Sequence, residues 1–129
     1  MNTVVVLELD LINEKEGNTT YTFLGYGPSQ GRILAFREKG SISGNHWHEG
    51  ISKSKDPEEL LLVKGILRLD WTTDLEGAYT ESTRVQAPAL IRVYPLVKHR
   101  IEALEDLCFV EFNSLEEHAK DTKYPGATS

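Results

Sequence analysis

The chain has 129 residues, 40% hydrophobic, 26% charged and 9% aromatic, which fits one globular domain of about 100–150 residues. Twenty acidic against fourteen basic residues give a formal charge of −6, an unfavourable balance for nucleic acid or anionic membrane, since both are negative. The N-terminus lacks a basic segment, its apolar run is broken by Glu8 and Asp10, and no stretch approaches the roughly 20 apolar residues of a membrane helix.

Short β-type runs follow one another along the chain. Val4 to Ile12, Tyr21 to Tyr26 and Arg32 to Glu38 come first, then Leu60 to Lys64 and Ile66 to Trp71. Ser82 to Gln86, Leu90 to Tyr94 and Leu107 to Phe112 complete the set. Gly17-Asn18, Gly25 to Gly31, Lys39-Gly40, Ser43-Gly44-Asn45, Asp56-Pro57, Gly65, Glu76-Gly77 and Pro88 punctuate them. Many short strands between Gly, Pro and Asn predict an all-β sandwich or barrel. Alternation is clean in Ile66 to Trp71, where Leu67, Leu69 and Trp71 share one face. Leu60-Leu61-Leu62-Val63 is apolar on both faces, which calls for a cover on each side, a second sheet or a partner subunit. One helix is expected: Ser114 followed three residues later by Glu117 has the capping-box pattern, and the helix would run through Ala119 or Lys120. With no internal repeat or linker, residues 1–129 read as one cytoplasmic domain. Cys108, the single cysteine, excludes an internal disulfide and reads as a small buried residue.

The histidines carry the chemistry. In His46-Trp47-His48 a strand would send both imidazoles to one face and Trp47 to the other. Glu58 opens the Leu60 run, and His99 follows the turn Pro95-Leu96-Val97. Three imidazoles and a carboxylate from separate strands suit a divalent first-row transition metal, whether Fe, Mn, Ni or Zn. Adjacent Glu59 competes with Glu58. Whichever shares a face with Leu60 and Leu62 is inward if those leucines are, and the spacing to Gly65 favours Glu58. His118, among Glu116, Glu117 and Asp121, reads as a surface residue.

Gly44-Asn45-His46-Trp47-His48, then Glu58 with Gly65 beyond it, resembles the first motif of the cupin superfamily, and Pro95 to His99 resembles the second. The resemblance covers roughly residues 31 to 113. It implies a double-stranded β-helix, or jelly roll, holding a metal on His46, His48, Glu58 and His99. Two departures stand out. Nine residues separate His48 from Glu58, more than the family usually has, so the loop from Glu49 to Pro57 is expected to lie on the surface, with Lys53 and Lys55 in solvent. The second motif has Val97 where the family usually has glycine, and one more residue before the histidine, so its turn must differ. The fragment is also similar to small cupins of polysaccharide and nucleotide-sugar metabolism.

Three functions follow from these residues. One is a metal-dependent enzyme acting on a small molecule such as a sugar derivative or carboxylate, with the metal as Lewis acid or oxygen-activating centre. Another is a metal-free nucleotide-sugar isomerase or epimerase using His46 or His48 as base. The third is a non-catalytic ligand-binding module. Among the arginines on expected strands, Arg32, Arg37, Arg68 and Arg92, an inward one would suit a carboxylate or phosphate, whereas an outward one is an ordinary surface charge. Tyr21, Phe23, Tyr26 and Trp71 are candidates for an apolar mouth or plain core. The two-faced Leu60 strand and Val4 to Leu7 predict a homodimer.

Overall fold

The computed structural model describes residues 3–6, 8–23, 31–113 and 115–126. Among these residues, ten strands form two antiparallel sheets. The strands are β1 (Asp10–Lys15), β2 (Asn18–Phe23), β3 (Arg32–Arg37), β4 (Ile42–His46) and β5 (Glu58–Lys64), then β6 (Ile66–Thr72), β7 (Glu81–Gln86), β8 (Ala89–Val93), β9 (Lys98–Ala103) and β10 (Leu107–Glu111). One helix, α1 (Leu115–Lys120), follows. The first sheet runs β1-β2-β3-β10-β5-β8 and the second β4-β9-β6-β7. Neighbours in space are mostly distant in sequence, as when β10 inserts between β3 and β5. Such crossing between two sheets is the expected jelly roll.

Alternation decides what lies between the sheets. Ala35, Leu60, Leu62, Ile91, Val93, Leu107 and Phe109 from the first sheet meet Leu67, Leu69, Ile101 and Ala103 from the second. Trp71 packs against this core on the same face as Leu67 and Leu69, as the period of two requires. Leu62 is fully buried, and side chains of its type stabilise by roughly 1.5–3 kcal/mol on burial. The outer face of the Leu60 run is different: Val63 is exposed, as are Leu90 on adjacent β8 and Phe36 on β3, beyond β10.

Several expected boundaries move. The strand expected over Val4 to Ile12 begins only at Asp10, because β1 pairs with β2 through the tight turn at Glu16-Gly17; Val4, Val5 and Val6 are exposed. Ser43-Gly44-Asn45, read as a turn, lies inside β4, and Lys98–Ala103 forms β9, which the sequence did not suggest as a strand. Both have a weak apolar signal: β4 carries Gly44 and His46 in place of leucine, and in β9 Ile101 is the one large apolar side chain between His99 and the small Ala103. Cys108 is only part-buried: it stands just before the register shift where β10 meets β5 and faces away from Leu107 and Phe109. Leu7, the turn residues from 25 to 30, Tyr26, the side chain of Phe23 and the N-cap Ser114 lie outside the described residues.

Candidate metal centre

Facing sheets deliver the four residues to one point. His46 ends β4, His99 sits on β9 beside it in register, and Glu58 opens β5 on the opposite sheet. The bulge in β4 does the aiming: Gly44 (φ 92) and Asn45 (φ 61) are both left-handed, and the register shifts between Gly44 and His46. A Cβ on Gly44 would lie 3.1 Å from the His99 carbonyl oxygen, so glycine permits the close approach of β4 and β9. The extra turn length before His99 is absorbed by Leu96, left-handed at φ 63, whose N–H donates to the His48 carbonyl at 2.8 Å. His48 lies two residues beyond β4. Trp47 between the histidines is held extended by a two-way backbone pair with Lys123, at 2.9 and 2.8 Å.

His46, His48, Glu58 and His99 are all buried, and one potential ligand atom from each lies within 4.8 Å of the others. The imidazole centroids are 4.9 Å (His46–His48), 4.7 Å (His46–His99) and 5.4 Å (His48–His99) apart. Parity settles the choice of carboxylate that faces the cluster. Glu58 is buried on the same face as Leu60 and Leu62, whereas Glu59 points outward and pairs with Arg92 at 3.0 Å.

The donor chemistry fits a divalent metal. His48 Nδ1 donates to the Asp121 carbonyl at 2.6 Å and His99 Nδ1 to the Val97 carbonyl at 3.0 Å. Each bond leaves Nε2 with a free lone pair, the way ligating histidines are usually oriented. His48 Nε2 and Glu58 Oε2 lie 2.5 Å apart, both fully buried, and neither has a hydrogen-bond partner among the described residues. Ligands about 2.0–2.2 Å from one ion lie at most about 4.4 Å apart, so a contraction of about 0.4 Å would bring the widest pair into range. Burial, reinforced by neighbouring His99, pushes His46 down to about 2, so this imidazole is neutral, as a ligand must be. Glu58 lies well below the usual carboxylate range. Burial opposes that direction, and His48, Lys55 and His99 together outweigh it.

Two expectations fail here, both from the same corner. Lys55 is fully buried rather than solvated. Its ammonium donates to Asn113 Oδ1 at 3.0 Å and His118 Nδ1 at 2.9 Å, and lies 3.4 Å from Glu58 Oε1. His118 is not a surface residue: its ring lies 5.6 Å from His46 and 5.8 Å from His48, and burial with the nearby Lys55 charge pushes it down to about 4. The physical reason is the Trp47–Lys123 pairing, which folds the C-terminal segment over the mouth of the barrel. Asp121, also fully buried, completes the latch by accepting from the Glu49 and Ser52 amides at 2.8 and 3.1 Å.

Beside the cluster lies a cavity of about 250 Å³, lined among others by Arg37, Glu111, His118 and Tyr124. Burial and the Glu58 charge push Glu111 up to about 7. Of the other arginines, Arg68 and Arg92 form ion pairs on outer faces, and Arg32 stacks on Phe112. Trp71 and Tyr94 line a second, mostly apolar cavity of about 180 Å³ behind His99. Tyr21 instead packs edge-on against the exposed Phe36.

No family model matches the chain, and no curated protein matches it in sequence. Solved structures do resemble it. The capsular polysaccharide assembling protein CapF from Staphylococcus aureus aligns with a TM-score of 0.68 at 16% identity, over 95% of this chain and 35% of that one. A CapF complex with the inhibitor 3-isopropenyl-tropolone gives 0.72 at 16% identity, over 95% and 36%. Bacillus subtilis oxalate decarboxylase, studied for its Mn(II) centres, gives 0.61 at 22% identity, over 81% and 28%. The chain thus spans about a third of the length of CapF and less of the decarboxylase. No helix among the described residues is long and apolar enough to cross a membrane. With its two antiparallel sheets crossed into a barrel and its histidine motifs on the inner walls, this chain has the fold of the cupins.

Proposed function

We propose that this protein binds one divalent first-row transition metal through His46, His48, Glu58 and His99 and acts on a small molecule held in the adjoining cavity. The observation that carries the reading is the buried convergence of four ligand atoms within 4.8 Å, with His48 Nε2 and Glu58 Oε2 left without hydrogen-bond partners among the described residues. Fe, Mn, Ni and Zn all suit three imidazoles and a carboxylate. A metal there supplies Lewis acidity or an oxygen-activating centre. The chain's own part is to fix the imidazole tautomers through Asp121 and Val97, to shield the site beneath the C-terminal segment, and to present Glu111 and His118 to whatever enters. The likeness to CapF supports a sugar derivative as substrate, and that to oxalate decarboxylase a small carboxylate. The acid–base reading without metal has less support, since a base working near neutrality needs a pKa close to it and His46 lies far below. A homodimer and a cytoplasmic location belong to the same proposal, the dimer supported by the exposed Val63, Leu90 and Phe36.

Elemental analysis of protein purified after metal-supplemented growth tests the centre. About one metal per chain is expected, falling by at least tenfold in the double variant H46A/H48A. Less than a tenth of a metal per chain in the wild type, or unchanged content in the variant, would overturn the assignment. Turnover of candidate sugars or acids by the loaded protein separates an enzyme from a binding module.

A further inference from the structure

Lys55 and His118 lie outside the two motifs that resemble the cupins, yet they meet beside the cluster. Lys55 belongs to the long loop between His48 and Glu58, and His118 to α1. Two successive contacts join these segments: Ser54 Oγ donates to Glu117 Oε2 at 2.5 Å, and Lys55 Nζ to His118 Nδ1 at 2.9 Å. The Thr122 hydroxyl donates to the His118 carbonyl and steadies the end of the helix. An ammonium has three N–H donors and no acceptor. Three acceptors surround this one, Asn113 Oδ1 at 3.0 Å, Glu58 Oε1 at 3.4 Å and His118 Nδ1. The lysine is fully buried, so no solvent competes for its donors. His118 Nδ1 therefore keeps its lone pair, and the single ring proton sits on Nε2. Lys55 stands behind the ring, outside the cavity lining, whereas His118 lines the 250 Å³ cavity with His46, Glu58 and His99. The edge turned to the cavity is thus the Nε2 edge. Among the described residues Nε2 has no hydrogen-bond partner, and His118 is not one of the four converging ligand residues.

We infer that His118 is a donor-only recognition residue: Lys55 holds its imidazole in the Nε2–H form, and Nε2 donates to a carbonyl oxygen of a small molecule in the cavity. A neutral imidazole N–H is suited to polarising a carbonyl. With Nδ1 committed to Lys55, the ring has no lone pair left for a ligand hydroxyl or for work as a base. A carbonyl oxygen needs only a donor, whereas a hydroxyl also carries a proton that this edge cannot accept. Size narrows the class further. Sites for drug-sized molecules run to about 300–1,000 Å³, and 250 Å³ lies below that range, which selects a short carbonyl compound of a few carbons. Lys55 acts through His118 and is its positioning residue. That the cavity is where the protein acts rests on the function proposed above; the tautomer and its free donor do not depend on a metal.

Nitrogen NMR of histidine-labelled full-length protein, supplied with zinc and after chelator treatment, reads the tautomer directly. His118 is expected to carry its proton on Nε2 and none on Nδ1 in both states. In metal-free K55M/E58Q the Nδ1 resonance should move toward that of an unbonded ring nitrogen. Titration with hydroxyacetone and with propane-1,2-diol, which replaces the carbonyl by a hydroxyl, reads the recognition. Hydroxyacetone should bind at least about fivefold more tightly and shift the Nε2 resonance, a wild-type readout that holds even if the variants fold poorly. His118→Phe should lose the preference at unchanged zinc content, and His118→Gln, which keeps an amide donor, should retain part of it. A proton on Nδ1, an unmoved Nδ1 in K55M/E58Q, equal binding of the two probes, or loss of zinc in His118→Phe would each overturn the proposal. The Nε2–H form with a carbonyl preference, in protein that takes up no zinc, would sink the metal centre and leave this assignment standing. Normal zinc content with the proton on Nδ1 would do the reverse.

Discussion

Replacing Lys55 by methionine removes one buried charge while keeping most of the side chain's volume, and its cost can be worked from three distances. The ammonium lies 3.4 Å from Glu58 Oε1, 3.0 Å from Asn113 Oδ1 and 2.9 Å from His118 Nδ1. At an effective dielectric constant of about 20, two unit charges 3.4 Å apart attract by about 5 kcal/mol. Removing one partner of a buried pair costs about 3–5 kcal/mol, because the other charge stays buried and uncompensated. Against a typical total stability of about 5–15 kcal/mol, Lys55→Met is thus severely destabilising in metal-free protein. With a urea slope of about 2 kcal/mol per molar, the unfolding midpoint should fall by about 2 M. Circular dichroism during urea titration reads this directly. The double variant K55M/E58Q, which removes the stranded carboxylate charge as well, should recover at least half the loss. A midpoint change in Lys55→Met below about 0.5 M, or no recovery in the double variant, would show that Glu58 is not held by this ammonium.

Two further predictions concern groups around the barrel. Glu111 has its pKa raised to about 7 in the fold against about 4.3 for an ordinary glutamate. It binds a proton in the folded state that the unfolded chain releases. Stability should therefore fall as pH rises from about 4.3 to 7 and level off above, by at most ~4 kcal/mol. In metal-free protein Glu111→Gln should abolish that fall, with wild-type melting temperature at pH 4 and a higher one at pH 8; equal melting temperatures at pH 8 would refute it. On the outer sheet face, the double variant V63K/L90K should convert a dimer to a monomer by analytical ultracentrifugation at micromolar concentration, without loss of fold. A wild type that sediments as a monomer would remove the dimer from the proposal.

What could be read in the sequence was whatever leaves a periodic or type-specific mark. Leu60, Leu62, Leu67 and Leu69 alternate, so their strands and the core they fill were legible, and parity carried Glu58 inward with them. The histidines were legible by type. β4 and β9 were not, since glycine and histidine stand in β4 where a core strand would show leucine, and Ile101 is the one large apolar residue on the inward face of β9. Lys55 and His118 were misread for a related reason. A lysine between Ser54 and Asp56, or a histidine among glutamates, has the composition of a solvated surface. Contacts across more than sixty residues, the pairing of Trp47 with Lys123 and the Asp121 bonds to Glu49 and Ser52, hold the segment that brings them together. Nothing local to Asp121 or Asn113 marks them either, because each acquires its role from a neighbour remote in sequence.

That pairing also sets a clock. His48 keeps its tautomer only while the Asp121 carbonyl stays in place, and that carbonyl is fixed by the Asp121 side chain on the Glu49 and Ser52 amides and by the strand contact two residues on. Release of residues 115–126 would unlock the imidazole and uncover the cluster in one event, without unfolding either sheet. Exchange of whatever the barrel holds should then proceed at the opening rate of this short segment, and the amide protons of Trp47 and Lys123 would report that rate by hydrogen exchange.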